Sequence, residues 1–472
     1  MQQGAQDEFD FQAYFKRRVV ADFHGGQQTS DGGILLLREF LQSGGGAIIP
    51  RLSGCFEDRR NPEAVEHSLE SMLIQRIAGL ALGYEDINDH EGLRHDPAQV
   101  LLAGKTGLGG NEPVALAGKS TLNRMELAAG GGDGRYKKIV ADEEKLEDAL
   151  VREAVRAIPR KSREIVLDFD ATDDLVHGTQ DGRFYNGYYK NYCYLPLYCF
   201  CEDIPLLAKL RKSDIDASLG TDTALEKIVP AIRKRFGRKV RIIVRGDGGF
   251  ARDRIMSWCE QNKVYYCLGL GKNPRLSGHL KDDYGEMEAK IKEGELQSPC
   301  RRFRQFEYRT LDSWSRPRRV VGKAEILGEK QNTRFIVTNL PESGFAGDPA
   351  NRFAPRSLYE GFYCARGNME NRIKEQQLDL FADRTSTHCM KANQLRLWFS
   401  AFAHLLLSLF RSKALAGTSL ARATVGTIRL KLFKVAAKIT VSTRRIHFCL
   451  PSSYPYQLEF AAAWNNLKTG FG

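Results

Sequence analysis

The chain has 472 residues, of which 42% are hydrophobic and 27% are charged, and its formal net charge is +12. A chain of this length exceeds one ordinary hydrophobic core, so we expect two to four domains. Its start lacks the apolar run of a secretory signal, and its longest apolar window, residues 398–410, is shorter than a membrane span. The ten cysteines include no C-x-x-C pair, which argues against zinc sites and disulfide frameworks. We therefore expect a cytoplasmic protein with reduced thiols and no membrane partner.

The N-terminal third is predicted to be mostly helical. Apolar residues recur at helical spacing in residues 62–90, and Gly83 suits the end of that helix. A further helix is expected at 138–157. Residues 118–120 (Gly-Lys-Ser) suggest a nucleotide-binding loop, but the earlier glycine that such a loop needs falls on Pro113. No nucleotide cofactor is therefore expected.

From residue 164 onward the pattern changes to short β-rich runs. The strand candidates are residues 164–172, 194–202, 204–211, 240–247 and 264–270, with helices at 221–236 and 251–262. Strands followed by strand–helix alternation predict an α/β sheet with helical cover. Residues 271–350 then alternate like antiparallel strands, which predicts a β-rich insertion, and residues 357–411 return to helix.

The positive charge is concentrated at the end of the chain. Residues 401–472 contain ten Lys and Arg side chains against one acid, Glu459. Such a basic segment interleaved with apolar residues is typical of a contact with a nucleic-acid backbone, although a solvated domain face would have the same composition. The basic side chains that we select as DNA contacts are Lys431, Lys434, Arg444 and Arg445.

Two predicted strands end in carboxylates. Asp168 and Asp170 lie on the same face of the first strand, because side chains alternate along a strand. The strand at 240–247 ends in Asp247, followed by glycines that permit a tight turn. Ligand sites in α/β sheets favour such strand ends. Taken singly, each motif is equally compatible with a strand that ends in a polar turn.

A third acid lies on a predicted helix. Tyr363, Arg366, Glu370 and Lys374 fall at the spacing of one helical stripe. For an isolated helix this stripe would indicate a solvated face with ion pairs. The combination with the two acidic strand ends favours a shared site.

The combined pattern resembles a DDE transposase with a ribonuclease-H-like catalytic core. It consists of Asp-x-Thr at one strand end, Gly-Asp-Gly-Gly-Phe at another, and Tyr-x-x-Arg-x-x-x-Glu after a β insertion. More narrowly it resembles the bacterial insertion-sequence family numbered 1380. That likeness also includes residues 29–38, 81–90, 93–97 and 194–198 and extends over about residues 18–455. Related transposases have a lysine seven residues after the glutamate, where this chain has Gln377.

The resemblance implies a domain order. We expect a helical N-terminal DNA-binding domain (1–160), the first part of the ribonuclease-H-like core (161–270), the β-rich insertion (271–350), the second part of the core with the catalytic glutamate helix (351–412) and a basic C-terminal segment (413–472).

The resemblance also implies phosphodiester cleavage and strand transfer assisted by two Mg²⁺ ions, which Mn²⁺ could replace. We expect Asp170 to bridge both ions, with Asp247 and Glu370 each completing one. Asp168 is the alternative to Asp170 as the first carboxylate.

Further roles follow from the same likeness. Tyr363, Arg366 and Lys374 are expected to hold the DNA backbone near the cleavage point, with Lys374 standing in for the lysine missing at Gln377. Trp314, in the insertion, would stack on an extruded base, although a tryptophan between strands commonly serves packing. The N-terminal domain and the basic segment would recognise the element's terminal inverted repeats, and Arg124 would begin a DNA-facing helix.

The function expected from the sequence is therefore that of a bacterial, nucleoid-associated transposase, an endonuclease that acts on element ends and target DNA as a homodimer in a synaptic complex. Two alternatives remain at this point: a catalytically silent DNA-binding protein derived from a transposase, and a nuclease on the same fold. Retention of all three acids argues against the first. The long insertion and the N-terminal domain argue against the second.

Overall fold

The computed structural model describes residues 8–108, 114–130 and 137–469. These residues form two compact units: unit 1 comprises residues up to 140 together with those from 406 onward, and unit 2 comprises 141–405. This division differs from the predicted domains. The basic segment joins the N-terminal residues in one unit, and the helix expected at 138–157 belongs with the sheet of unit 2, because it packs on a strand and a helix there.

The N-terminal part of unit 1 mixes helices with short strands. Its elements are β1 (Phe9–Tyr14), β2 (Arg17–Ala21), β3 (Gln28–Thr29), α1 (Ile34–Gln42), α2 (Ile48–Ser53), β4 (Phe56–Asp58), α3 (Leu69–Leu82), α4 (Asp89–Leu93), α5 (Pro97–Leu102), α6 (Lys119–Glu126) and, at the boundary, β5 (Ile139–Ala141). Helix α3 begins where the side chain of Ser68 accepts a hydrogen bond from the amide of Ser71. It ends at Gly83, as predicted, because the backbone there turns left-handed (φ 92°).

Unit 2 is built around a large sheet. Its elements are α7 (Glu143–Ala157), β6 (Glu164–Ala171), β7 (Asp174–Leu175), β8 (Phe184–Asn186), β9 (Asn191–Tyr194), β10 (Leu197–Cys201), β11 (Ile204–Lys209), α8 (Thr221–Phe236), β12 (Arg241–Gly246), α9 (Asp253–Gln261), β13 (Tyr265–Leu270), α10 (Pro274–Gly278), α11 (Lys281–Lys292), β14 (Cys300–Tyr308), β15 (Arg318–Leu327), β16 (Lys330–Thr338), α12 (Gly367–Lys374) and most of α13 (Met390–Ala414).

The large sheet has eight strands in the order β11-β10-β6-β12-β13-β16-β15-β14. Strand β6 pairs in parallel with β12, and β12 with β13, whereas the remaining neighbours are antiparallel. The strands expected to form an insertion therefore extend the same sheet rather than a separate one. Helices α10 and α11 also lie within that predicted β-rich stretch.

The segment before and after α12 departs from regular helix. Residues 357–363 and 375–379 are π-helical, and residues 364–366 form a 3₁₀ turn. Side chains from the first π-helical stretch, Leu358, Tyr359 and Phe362, pack into a buried cluster with strands of the large sheet. This packing positions α12 beside the strand ends. Local widening of a helix of this kind is frequent at functional sites.

The C-terminal part of unit 1 supplies α14 (Val425–Ile428), β17 (Ala437–Ser442), β18 (Arg445–Cys449) and α15 (Gln457–Thr469). Strand β17 pairs with β3, so the two ends of the chain share a sheet. The glycines of the Thr-Ser-Asp-Gly-Gly motif permit this approach. A β-carbon at Gly33 would lie 1.7 Å from the carbonyl oxygen of Leu432, so only glycine fits.

A buried carboxylate joins the same two parts of unit 1. Asp31 is fully buried, and its Oδ2 accepts hydrogen bonds from the Tyr84 hydroxyl at 2.7 Å and from Gln99 Nε2 at 2.9 Å. Its Oδ1 accepts one from Lys434 Nζ at 2.8 Å, which also lies 3.8 Å above the ring of Tyr84. A buried charge requires such partners. Lys434 therefore contributes to the stability of unit 1.

The ten cysteines are free thiols, and seven of them are buried. Among the residues that the structure describes, no helix combines the length and the apolar character required to cross a membrane.

Replacement of Lys434 by methionine should destabilise unit 1, because it leaves the buried Asp31 carboxylate without its cation. We expect the free energy of unfolding to fall by about 3 kcal/mol, as for other broken buried ion pairs. Urea denaturation followed by circular dichroism measures this. The exposed Lys438→Met should change stability by less than about 0.5 kcal/mol. Equal stability of the two variants would show that the contact with Asp31 contributes little.

Candidate active site

A buried ion pair fixes the first two strand ends relative to each other. Arg245 and Asp168 are register partners in the parallel pair of β12 and β6. The Arg245 guanidinium donates to both carboxylate oxygens of Asp168, at 2.6 and 2.7 Å. Its remaining nitrogen, Nη1, donates to the backbone oxygen of Phe362 at 2.6 Å. One arginine therefore links β6, β12 and the chain that leads into α12.

Asp168 is the alternative to Asp170 as the first catalytic carboxylate, but its whole carboxylate group is engaged in this ion pair. Both of its oxygens accept from Arg245, and the side chain is buried. The choice of Asp170 over Asp168 as the first catalytic carboxylate stays a prediction.

Asp170 lies two residues after Asp168, and Asp247 lies two residues after Arg245. Burial raises the pKa of Asp170 to about 6, the Arg366 charge opposes the rise, and the charge of Asp247 adds to it. Asp247 accepts a hydrogen bond from the amide of Gly249 at 2.8 Å and begins a 3₁₀ turn. A perturbed carboxylate such as Asp170 is typical of functional sites. The structure thus brings the two predicted aspartates together.

Glu370 completes the cluster through a shared cation. Arg366 contacts Asp170 at 3.1 Å and Glu370 at 3.5 Å. Burial opposes the charge of Arg366, but Asp170 and the other nearby acids stabilise it, so its pKa is raised overall. The Glu370 side chain is 55% exposed and can reorient. In the described part of the chain, no three His, Cys, Asp or Glu residues are placed to hold a metal ion, and Arg366 is the cation between these acids.

Tyr363 lies at the back of the same site. A β-carbon built on Gly269 would lie 2.5 Å from the Tyr363 hydroxyl, 2.8 Å from the amide of Gly248 and 3.0 Å from the carbonyl carbon of Asp247. Gly269 therefore leaves the space in which the Tyr363 hydroxyl and the Asp247 turn approach each other. Burial raises the pKa of Tyr363 to about 12, so the hydroxyl stays protonated at neutral pH.

Related transposases have a lysine where this chain has Gln377, and Lys374 is the predicted substitute. The two side chains occupy different environments. Lys374 is exposed at the end of α12. Gln377 instead donates a hydrogen bond from Nε2 to the backbone oxygen of Asp173, at 3.1 Å. Gln377 therefore fastens the turn after Asp170 to the helical segment that carries Glu370, and Lys374 is the accessible cation.

Trp314 does not have the exposure that base stacking requires. It is 3% exposed and packs edge-on against Tyr308, with ring centroids 5.8 Å apart. The guanidinium of Arg318 lies 5.5 Å from its ring centre. Trp314 thus packs against its neighbours within unit 2, and its stacking role stays a prediction.

The basic residues predicted to bind DNA divide into two groups in unit 1. Lys434 is engaged by Asp31 and is not free for a phosphate. Lys431 lies 5.0 Å from the ring centre of Tyr456 and is partly buried. Arg444 and Arg445 are exposed at the turn between β17 and β18, where a DNA backbone could reach them.

Arg124 lies in α6 and lines a pocket of about 580 Å³ in unit 1. Arg60, Arg94 and Lys138 line the same pocket, together with two acids, Glu66 and Glu91. The DNA-binding role of Arg124 stays a prediction, and the α6 sequence alone does not indicate the pocket.

Sequence reasoning missed the roles of Arg245 and Gly269. A signal for the first was present, since an ionisable residue stands two positions before each strand-end aspartate: Asp168 before Asp170, and Arg245 before Asp247. Side chains two residues apart lie on the same face of a strand, so Asp168 and Arg245 lie on the same faces as the two aspartates. If the two strands are neighbours, these opposite charges can pair, and the ion pair could have been predicted from the sequence. No comparable signal exists for Gly269, because its constraint comes from Tyr363, which is remote in sequence.

Comparison with known protein families identifies the family of the chain. A family model described as transposase DDE domain group 1 matches residues 11–470. The chain belongs to this transposase family. No curated protein sequence matches it. The narrower resemblance to the insertion-sequence family numbered 1380 stays a prediction.

Among solved structures, the transposase is similar to a piggyBac transposase synaptic complex with hairpin DNA. The two share 10% sequence identity at a TM-score of 0.38, over 86% of this chain and 79% of that chain.

Gly269→Ala should impair DNA cleavage by the transposase, because the added methyl group collides with backbone of the Asp247 turn as well as with Tyr363. We expect a reduction of about 100-fold, the usual effect of displacing a catalytic group by about 1 Å. Cleavage of labelled DNA measures it. Gly271→Ala is the matched control, since a β-carbon there meets nothing within 4 Å. Full activity of Gly269→Ala would contradict the proposed constraint.

Proposed function

We propose that this transposase cleaves the ends of an insertion sequence and joins them to target DNA, using Asp170, Asp247 and Glu370 as its catalytic carboxylates. One observation carries the proposal: the Arg366 guanidinium contacts Asp170 and Glu370 together, while the charge of Asp247 acts on Asp170. Acids from two strands and one helix thus surround one positive charge. Such clustering is unfavourable without a cation, and a functional site explains it best.

The donor chemistry of these residues fits a pair of Mg²⁺ ions, for which Mn²⁺ could substitute. Carboxylate oxygens are the ligands that Mg²⁺ prefers. Asp170 would be shared, and Asp247 and Glu370 would each complete one position. The ions would supply Lewis acids for the attacking and leaving oxygens. Arg366 already occupies the position of a cation between Asp170 and Glu370, which supports a site built for positive charge.

The protein's own side chains would hold and orient the DNA. Arg366 can bind a phosphate with two nitrogens once the carboxylates are otherwise neutralised, since guanidinium matches phosphate geometry. Lys374, exposed on the same helix, can add a second contact. The protonated Tyr363 hydroxyl can donate a hydrogen bond to a phosphate oxygen. Gln377 keeps the turn after Asp170 in place while the DNA is bound.

The topology of unit 2 supports the expected ribonuclease-H-like core. Strand β6, which carries Asp170, has the antiparallel strands β10 and β11 on one side and the parallel strands β12 and β13 on the other. Both aspartates then lie at the same edge of adjacent parallel strands, the usual position of ligand sites in such sheets.

Unit 1 would bind the DNA of the element's terminal repeats. The basic pocket around Arg124 and the exposed Arg444 and Arg445 supply sequence-independent contacts with phosphates. Two copies of the chain would bring both element ends together in a synaptic complex.

Asp170→Asn, Asp247→Asn and Glu370→Gln should each reduce cleavage by about a thousandfold or more, because each removes a negative oxygen from the site. Binding to element ends should remain near that of the unmodified protein. Labelled element ends incubated with Mg²⁺ and resolved on a sequencing gel measure cleavage, and a filter assay measures binding.

Asp173→Asn is the matched control, since Asp173 lies in the turn beyond Asp170 and outside the cluster. It should cleave normally. A near-normal rate for any of the other three variants would remove that residue from the site. Tight binding without cleavage by the unmodified protein would favour the silent DNA-binding alternative.

Replacement of both Arg444 and Arg445 by glutamine should weaken binding about equally for all DNA sequences. The slope of log affinity against log salt should decrease in magnitude by about two, because each phosphate that an arginine neutralises contributes close to one unit. The control is Lys330→Gln, an exposed lysine at the start of β16 in unit 2. An unchanged slope would show that the turn between β17 and β18 is an ordinary solvated surface.

A further inference from the structure

A short hairpin in unit 2 exposes an unusual number of aromatic side chains. We call residues 183–194, which contain β8 and β9, the aromatic hairpin. Tyr188 at its turn is 86% exposed and Tyr185 is 58% exposed, and Phe184 and Tyr192 are exposed as well. Four exposed rings within nine residues form an apolar surface that folding alone does not explain, because burying them would have been favourable.

Positive charges lie between these rings. The guanidinium of Arg183 is 4.7 Å from the ring centre of Tyr192, and Lys212 Nζ is 5.7 Å from that of Phe184. Lys190 is exposed beside the turn. Aromatic rings interleaved with cations are the combination that binds single-stranded nucleic acid, since bases stack on the rings and phosphates meet the cations.

The aromatic hairpin is fastened next to the catalytic carboxylates. The Tyr189 hydroxyl donates a hydrogen bond to the backbone oxygen of Ala171, at 3.4 Å, and Ala171 directly follows Asp170. Strand β9 pairs with β7, immediately beyond the same strand end. Burial raises the pKa of Tyr189, and the charges of Asp173, Asp170 and Asp247 raise it further. Tyr189 therefore lies on the side of the hairpin that faces the carboxylates, whereas its neighbour Tyr188 points into solvent.

The turn itself is held in a defined shape. Asn186 Oδ1 accepts hydrogen bonds from the amides of Tyr188 and Tyr189, and Asn186 Nδ2 donates to the backbone oxygen of Ser213. The rings of Tyr185 and Tyr192 meet edge-on at 5.6 Å. A surface fixed in this way loses little conformational freedom when it binds a ligand.

We propose that the aromatic hairpin binds unpaired bases of the DNA strand beside the cleavage point, with Tyr188 and Tyr185 as the stacking residues. The inference rests on the proposed function, because it takes Asp170 to mark that point. Stacking on exposed rings requires no particular base, so the hairpin would accept any flanking sequence. The partner is single-stranded DNA, continuous with the duplex that the carboxylates cut.

The test compares two DNAs bound to the full chain carrying Asp247→Asn, which separates binding from cleavage. One DNA is a fully paired element end, and the other has the same end with a short single-stranded flank. Adding Tyr188→Ala should weaken binding of the flanked DNA about tenfold, the usual effect of removing one stacked base, and leave the paired DNA unaffected. The salt dependence should not change, because no charge is removed.

Two further variants make the result specific. Tyr188→Phe keeps the ring and should retain the affinity of the tyrosine. Phe15→Ala, in unit 1, removes a ring that is equally exposed at 86% and should have no effect on either DNA. Equal weakening on both DNAs, no weakening at all, or an altered oligomeric state with unchanged DNA affinity would each overturn the proposal.

This binding result is independent of the cleavage result. If the carboxylate variants cleave normally while Tyr188→Ala loses affinity for flanked DNA, the proposed catalytic site fails and the single-strand surface stands. If instead the carboxylate variants lose cleavage and Tyr188→Ala binds flanked DNA normally, the proposed catalytic site stands and the hairpin has no part in it.

Discussion

The arrangement of the site depends on the buried ion pair between Arg245 and Asp168. Its three hydrogen bonds join two parallel strands and, through the backbone of Phe362, the segment that leads to Glu370. Breaking a buried pair of this kind costs about 3–5 kcal/mol, because the remaining charge is left without a partner. The pair also fixes register. Since side chains two residues apart share a face, fixing Asp168 opposite Arg245 places Asp170 and Asp247 at neighbouring strand ends.

Burial of Asp170, with a second acid nearby, has an energetic cost that other interactions in the fold must offset. The raised pKa of Asp170 shows that its charged form is disfavoured relative to that of an exposed aspartate, despite its contact with Arg366. A shift of one pKa unit corresponds to about 1.4 kcal/mol. The Arg245 pair and the apolar packing of Phe362 supply the rigidity that keeps the acids from separating. Such a balance between local instability and surrounding support is characteristic of active sites.

Local sequence pattern indicates the three candidate acids, whose catalytic role stays a prediction, but it does not show which basic side chains have partners in the fold. Asp170 and Asp247 each follow an apolar strand, and Glu370 lies on a recognisable helical stripe, so local pattern alone indicates them. Lys434 carried the same local signal as its basic neighbours. Its partner, Asp31, is 403 residues away, and no periodicity reveals a contact over that separation. Local pattern likewise does not reveal the burial of Trp314, since exposure depends on tertiary packing. The joining of both chain ends in unit 1 was likewise outside what local pattern can show.

Strand order explains how a long stretch between Asp247 and Glu370 leaves the site intact. Residues 300–338 add three strands, but they attach through β16 to β13, so β12 lies between β13 and the Asp170 strand. The junction is secured locally: the Thr338 hydroxyl donates to the backbone oxygen of Tyr266 at 2.6 Å. The added strands therefore extend the edge of the sheet away from β6. The aromatic hairpin follows Asp170 closely in sequence, and the Tyr189 hydroxyl holds it to the backbone of Ala171. Within unit 2 the three added strands lie beyond β13, whereas the aromatic hairpin, which we propose to bind DNA, adjoins Asp170.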